Sequence, residues 1–416
     1  MTPEFPDRDE VLKLYDRHLG RATAKLAAQV DLPVEVRSAG ARVWDEQDRE
    51  YLDCGGYGVF LLGHRHPDVL KAVHDQLDRH PLATRSLLSA ELAYAAQRLA
   101  GTAPAGLEHV YFASTGAEAV ETAIKLARAG GRRRLIAMDR GFHGKTLGAL
   151  SITNRPIFQQ PFRPLLPDVD KVAFGDIDEL NRALAASEDK ACVVVEPVQG
   201  EGGVRIPPPG YLAAVAEACR AAGAYLVVDE IQTGLGRLGE WWGCTAEGVV
   251  PDMLLTGKGL GGGVMPVSAV LATDEVFAPL DRAPRLHSST FSGAPIAMAA
   301  VLAAIDVIER EDLVRRAATL GESLLTQMSN AVWEAGGDAV REIRGRGLLI
   351  GIEFGQPRAA GRFVQALMAR RVIVTNPLAA DNVVRFSPPA VLSGDEIGWL
   401  LEAFSAALAE SGGEGS

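Results

Sequence analysis

The chain has 416 residues, 47% of them hydrophobic and 23% charged, with a formal net charge of −11. A soluble globular protein of this length exceeds one ordinary core and needs two domains. The acidic balance argues against a general nucleic-acid or anionic-membrane surface, and no apolar run approaches the roughly 18 residues of a membrane span.

The first stretch, "MTPEFPDRDEVLKLYDRHLG", is charged from the start and lacks the apolar centre of a signal peptide. Cys54, Cys192, Cys219 and Cys244 are scattered, without a CxxC pair or metal-ligand spacing. The expectation is a reducing, cytoplasmic setting, with no disulfide and no metal site. After residue 100, short apolar runs alternate with helical patterns. "HVYFAS" (109–114), "RLIAMD" (134–139), "CVVVEP" (192–197), "YLVVDE" (225–230) and "MLLTGK" (253–258) read as strands buried on both faces, hence an α/β fold with a mostly parallel sheet. "GAEAVETAIKLARAGG" and "YLAAVAEACRAAG" read as crossover helices stopped by Gly130 and Gly223. From about Pro295 a long helical segment leads into further helices and short strands such as "LLIGIEF" and "VIVTNP", a smaller α+β domain. The tail "ESGGEGS" reads as disordered.

Four of the strands stop at Ser114, Glu196, Asp229 and Lys258. In open α/β sheets the ligand crevice lies beyond the carboxyl ends of the strands, so these groups share one rim. Lys258 stands among Gly257, Gly259, Gly261, Gly262 and Gly263 between apolar runs, where an exposed surface lysine fits poorly. A desolvated lysine can form a Schiff base. Asp229 ends a buried strand and needs a cationic partner there, although a helix cap or structural ion pair would also explain it. "ASTGAEAVE" opens a helix with small residues, which makes either an ordinary N-cap or an anion site. "GLGRLG" (234–239) satisfies GxGxxG literally, but "EWWGCTAEGVVPD" follows it without helical period, so the dinucleotide reading is disfavoured. A helix N-terminus for phosphate, an aspartate for a ring nitrogen and a lysine for an aldehyde together fit pyridoxal phosphate.

With those residues in hand, the sequence resembles the class III, or ω-type, aminotransferases of the fold-type-I pyridoxal phosphate enzymes, from about Leu32 to Leu408. The motifs that carry the likeness include "YLDCGGYGVFLLGHRHPDV", "STGAEAVETAIKLAR", "GFHGKTLGAL", "EPVQGEGG", "VVDEIQTGLGRLG", "GKGLGGGVMP", "HSSTFSG", "RGRGLLIGIEF" and "VVRFSPP". Within the class, "DCGGYGVFLLGHRHP", "FHGKTLGALS", "VRIPPPGYL" and "GLGGGVMPVSA" look most like putrescine and related diamine aminotransferases. The resemblance implies an N-terminal segment (1–55) packing with the small domain, a large cofactor-binding α/β domain (56–294) and a small α+β domain (295–416). It implies that Lys258 holds the cofactor as a Schiff base, that Asp229 pairs with the pyridinium nitrogen and that Gln232 approaches the ring hydroxyl. Thr115, Gly116 and Ala117 would bind phosphate, and Phe142 would stack on the ring. Ser289 and Thr290 would reach the phosphate from a second subunit, so a homodimer is implied. Arg385 would grip a substrate carboxylate with Glu201 near enough to pair with it, and Tyr57 would line the substrate pocket.

The implied activity moves an amino group from a primary amine, a diamine or an ω-amino acid, to a 2-oxo acid such as 2-oxoglutarate. Aminomutases, racemases and decarboxylases on the same scaffold are the alternative, and the Glu201–Arg385 pair favours transfer. Ser114, Leu238, Ser292 and Ala294 depart from the family's usual residues without touching Lys258, Asp229 or Arg385. His64, His66 and His143 read mainly as structural or supporting groups. Trp241 and Trp242 suit either the pocket mouth or a subunit interface.

Overall fold

The protein is described from a computed structural model covering residues 7–186, 189–335 and 339–411. Its central sheet has seven strands in the order His109–Ala113, Ser268–Ala272, Met253–Thr256, Tyr225–Asp229, Ala191–Val195, Arg134–Met138 and Val169–Val172. Only Ser268–Ala272 runs antiparallel to its neighbours. The chain therefore has the α/β, mostly parallel fold expected of a fold-type-I enzyme, with that strand as an element the apolar pattern did not reveal.

Side chains alternate between two cores, as the period of a strand requires. Val193, Val195, Leu226, Val228 and Leu254 enter one core, which also takes Leu212 and Val215 of the helix Tyr211–Ala222. Cys192, Val194, Val227, Met253 and Leu255 enter the other, against Val120, Ile124 and Ala127 of the helix Gly116–Ala129. Each such Val or Leu, fully buried, contributes about 1.5–3 kcal/mol, so the strands cannot slip in register without losing both faces. All four cysteines are free and buried within this packing.

Two smaller sheets flank the large one. Glu35–Ala39, Arg42–Asp45 and Glu50–Asp53 form an antiparallel run whose last strand pairs in parallel with Val372–Ile373. Val340–Arg346, Leu349–Phe354 and Val383–Phe386 form the third sheet, with Arg385 in register with Gly351. The helix Pro295–Arg310 lies against Pro67–Arg79 and Ala90–Ala100. The last helix, Gly394–Ser411, takes in Glu410 and Ser411, the first two residues of the expected disordered tail; the remainder of that tail is outside the described residues. No described helix is long and apolar enough to cross a membrane.

Candidate active site

The carboxyl ends of the central strands open on a cavity of about 280 Å³. Lys258 lines it just beyond the Met253–Thr256 strand, in the left-handed region at φ 45°. That conformation is strained for any residue but glycine, and it persists where the surroundings over-determine it. Burial pushes the Lys258 ammonium from 10.5 down to about 8, against the opposing pull of Glu201, Asp229 and Glu196.

Asp229 lines the same cavity from the end of the neighbouring strand. Its Oδ2 lies 2.7 Å from His143 Nδ1, and its Oδ1 accepts the Ile231 N–H at 3.1 Å. Burial disfavours the His143 imidazolium, but Asp229 outweighs it and raises the imidazole above its ordinary value. The adjacent Glu230 turns inward: Oε1 accepts the Cys244 N–H at 2.8 Å and Oε2 the Thr233 hydroxyl at 2.5 Å. Only one carboxyl of the "DE" pair therefore serves the cavity. Glu196 lines it too, taking the Phe142 N–H at 3.2 Å, and burial pushes its carboxyl up to about 8.

The helix Gly116–Ala129 points its N-terminus at the cavity, where Gly116 and Ala117 are lining residues. Thr115 is its N-cap in a complete capping box with Glu118, whose carboxylate also takes the N–H groups of Ser114 and Thr115. The cap reading thus holds for the Thr115 side chain. Gly116 and Ala117, the first helical residues, have no intrahelical acceptor for their N–H groups and remain available to an anion.

Gln232 lines the cavity and donates from Nε2 to the Tyr57 carbonyl at 3.3 Å. Tyr57 is 56% exposed and is not part of the lining. Glu201 lines the cavity and accepts from Arg385 Nη1 at 2.5 Å, while its Oε2 accepts the Leu378 N–H at 2.8 Å. Arg385 is fully buried behind it and also donates from Nη2 to Thr375 Oγ1 at 3.3 Å. Burial resists ionisation of Glu201, but Arg385, Lys258 and these hydrogen bonds prevail and hold its carboxyl below the ordinary range.

Residues 25–408 match the family described as aminotransferase class-III. The chain belongs to the class III aminotransferases. It is similar to the ornithine aminotransferase of Toxoplasma gondii, at 31% identity over 97% of this chain and 98% of that one, with a TM-score of 0.86. A thermostable (S)-enantioselective omega-transaminase from Thermomicrobium roseum shares 30% identity over 99% and 100% of the two chains, with a TM-score of 0.90. The acetylornithine aminotransferase of Elizabethkingia anophelis shares 27% identity over 98% and 100%, with a TM-score of 0.82.

Class III aminotransferases use pyridoxal 5′-phosphate, and the donor set of this cavity fits it. A cavity-lining lysine, a buried aspartate, a phenylalanine and open helix N–H groups surround one space. In this aminotransferase Ser289 and Thr290 are not in that space. Thr290 is exposed and lines a separate hollow with Leu87, Leu88 and Phe291. Both carbonyls accept from Arg85 Nη1. Among the described residues no group of three or more His, Cys, Asp or Glu could hold a metal ion.

The remaining motifs have packing explanations. Trp242 is fully buried and donates from Nε1 to the Thr102 carbonyl at 2.7 Å, and Trp241 packs on the core, so neither lines the cavity. In "GLGRLG", Gly236 and Gly239 sit at φ 99° and 87°, pressed against Val314 and Ala318 of the helix Leu313–Glu334. These glycines admit a helix, where a dinucleotide loop would admit a phosphate. Leu238 joins Val198, Val204 and Leu349 in a small core of its own. His64 pairs with Asp53 at 2.8 Å and stacks on Phe60, and His66 caps the helix Pro67–Arg79. His143, read as a supporting group, and Ile231, which the sequence reading passed over, both belong to the cavity.

Proposed function

We propose that this aminotransferase takes an amino group from a primary amine donor, a diamine such as putrescine or an ω-amino acid, and passes it to a 2-oxo acid such as 2-oxoglutarate in two alternating half-reactions. The observation that carries this reading is the buried Arg385–Glu201 contact of 2.5 Å beside the lysine cavity. With Glu201 in contact, Arg385 is neutralised and an amine lacking a nearby carboxylate meets no bare cation. With Glu201 withdrawn, Arg385 is free to take a carboxylate of the 2-oxo acid through a two-pronged contact. An enzyme with a single substrate has less use for such a pair.

Pyridoxal phosphate, when bound, supplies an electron sink for the pair released as the amine-bearing carbon loses its proton. Lys258 Nζ is its attachment point and, when free, the base that takes that proton and returns it; a lysine near pH 8 suits both tasks. Asp229, its carboxylate held by His143 at 2.7 Å, would keep the proton on the ring nitrogen. Gly116 and Ala117 offer N–H groups, and Thr115 its helix end, to the phosphate. Phe142 and Gln232, both in the lining, would serve the ring and its hydroxyl, and Tyr57 would serve the substrate. Ser289 and Thr290 serve the cavity of a second copy, which is supported by their exposed segment and its apolar neighbours Leu87, Leu88 and Phe291.

The test is absorbance of the purified protein mixed with one amine donor at a time and no 2-oxo acid. Loss of the yellow band with a diamine, restored by 2-oxoglutarate, is the expected result. A yellow protein inert to every simple diamine and ω-amino acid would overturn the donor class.

A further inference from the structure

The arginine in "GLGRLG" has a role the glycines do not explain. Arg237 is 2% exposed, and its hydrogen bonds among the described residues all go to carbonyls. Nη1 donates to Leu348 at 3.1 Å and Pro388 at 2.6 Å, Nη2 donates to Gly58 at 3.4 Å, and Nε is buried without a partner among the described residues. Burial lowers this guanidinium to about 10, with Asp53 as the opposing attraction and Arg385 as a nearby repulsion, so it stays charged at neutral pH. Asp53 is already engaged by His64 at 2.8 Å. A buried cation without a hydrogen-bonded carboxylate is costly, and a hydrophobic residue would fill the same space more cheaply.

What the cation does there follows from whose carbonyls it holds. Gly58 follows Tyr57, whose carbonyl takes Gln232 at 3.3 Å. Pro388 closes the segment that carries Arg385. Leu348 leads into the strand Leu349–Phe354, where Gly351 is the register partner of Arg385. The backbone adds to the grip: Leu348 N–H donates to the Arg237 carbonyl at 2.9 Å. Gly347, at φ 54°, lies so close that an added Cβ would stand 2.6 Å from that carbonyl.

We propose that Arg237 is a positioning residue for 2-oxo acid binding: its planar fork ties the Arg385 strand and the Tyr57 turn to the loop that follows the strand Tyr225–Asp229 and so sets where the Arg385 guanidinium stands. The inference rests on the reading of Arg385 as the carboxylate contact. Displacing Arg385 matters most when Glu201 has withdrawn and the substrate depends on that guanidinium alone. It matters less in the amine half-reaction, where Glu201 accompanies Arg385.

The experiment compares holoenzymes of wild type, Arg237→Lys, Arg237→Gln and Arg385→Gln, each checked for bound-cofactor absorbance and thermal midpoint. Lysine keeps the charge and loses the fork, and glutamine keeps a planar donor and loses the charge. In Arg237→Lys, KM for 2-oxoglutarate rises about tenfold or more, since misplacement by an ångström is that costly, while KM for the amine rises by less. The same split in either Arg237 variant upholds the proposal. Equal rises in both KM values, or a lowered thermal midpoint with neither KM changed, overturn it and leave Arg237 a plain strut. Arg385→Gln separates the two ideas. If it leaves KM for 2-oxoglutarate unchanged, the carboxylate reading itself has failed and Arg237 has nothing to position. If it raises that KM and the Arg237 variants do not, only the positioning claim falls.

Discussion

Asp229 and Lys258 reach the cavity from hydrogen-bonded neighbouring strands, whereas Glu201 and Arg385 meet from positions 184 residues apart. The first pair is guaranteed by the sheet: once the apolar faces of Tyr225–Asp229 and Met253–Thr256 are buried, their ends have to fall side by side. The second pair depends on how the three-stranded sheet that carries Arg385 packs against the turn that carries Glu201. The sheet rim is thus suited to chemistry that must not vary, and the Glu201–Arg385 contact to recognition that must alternate between substrates. Changes at Lys258 and Asp229 should cut turnover most, and changes at the pair should redistribute it between half-reactions.

The largest effect is expected at Lys258. Lys258→Ala removes the attachment point and the proton carrier together, and turnover should fall on the order of 10⁴-fold or more. Steady-state rates with any accepted amine check it. A drop of only a few-fold would place the proton carrier elsewhere. Asp229→Asn keeps the shape but weakens the hold on the ring proton, and kcat should fall roughly 10²–10³-fold with little change in KM. The His143 contact at 2.7 Å survives in form, so the variant should fold and bind cofactor, which absorbance reports. A rise in KM with kcat intact would move Asp229 from chemistry to binding.

At the pair, Glu201→Ala leaves Arg385 buried without its counter-ion. The amine half-reaction, followed by single-turnover loss of the yellow band, should slow about tenfold or more relative to the 2-oxo acid half-reaction. Equal losses in both would mean a permanent structural ion pair, and the alternation would be abandoned.

The same contrast governs what could be read from the residues alone. Runs such as "CVVVEP" and "YLVVDE" are apolar on both faces and end in carboxylates, so the sheet, its direction and the sharing of one rim were legible locally. The antiparallel strand Ser268–Ala272 was not, because an apolar run after a glycine loop carries no sign of its direction. His143 sits in a loop, where nothing local separates a histidine under Asp229 from a packed one like His64. Asp229 and Glu230 look equivalent in sequence, and the choice between them is made by the Cys244 and Thr233 contacts, which are tertiary. The Glu201–Arg385 contact was visible only through family resemblance, since no periodicity links two segments so far apart. Tyr57, expected in the pocket lining, contributes its carbonyl to Gln232 and is itself about half exposed.

Glu196 gives the smallest effect and the finest test of the rim. Its carboxyl faces His143, Asp229 and Lys258, and burial raises it from 4.5 to about 8. Between those two pH values the unfolded chain has released this proton and the folded chain retains it. The folded state binds more protons throughout that window, so this group's contribution to stability declines as pH rises from 4.5 to about 8. Glutamine retains a polar side chain of the same shape and does not titrate. In cofactor-free protein, Glu196→Gln should therefore gain on wild type as pH rises from 5 to 8, by about 3–4 kcal/mol in urea unfolding. Parallel stability curves for the two proteins would mean that Glu196 is ionised in the folded state, held so by the His143 imidazolium and Lys258. The rim would then carry one more negative charge than the burial argument allows, and Lys258 would titrate higher for the same reason.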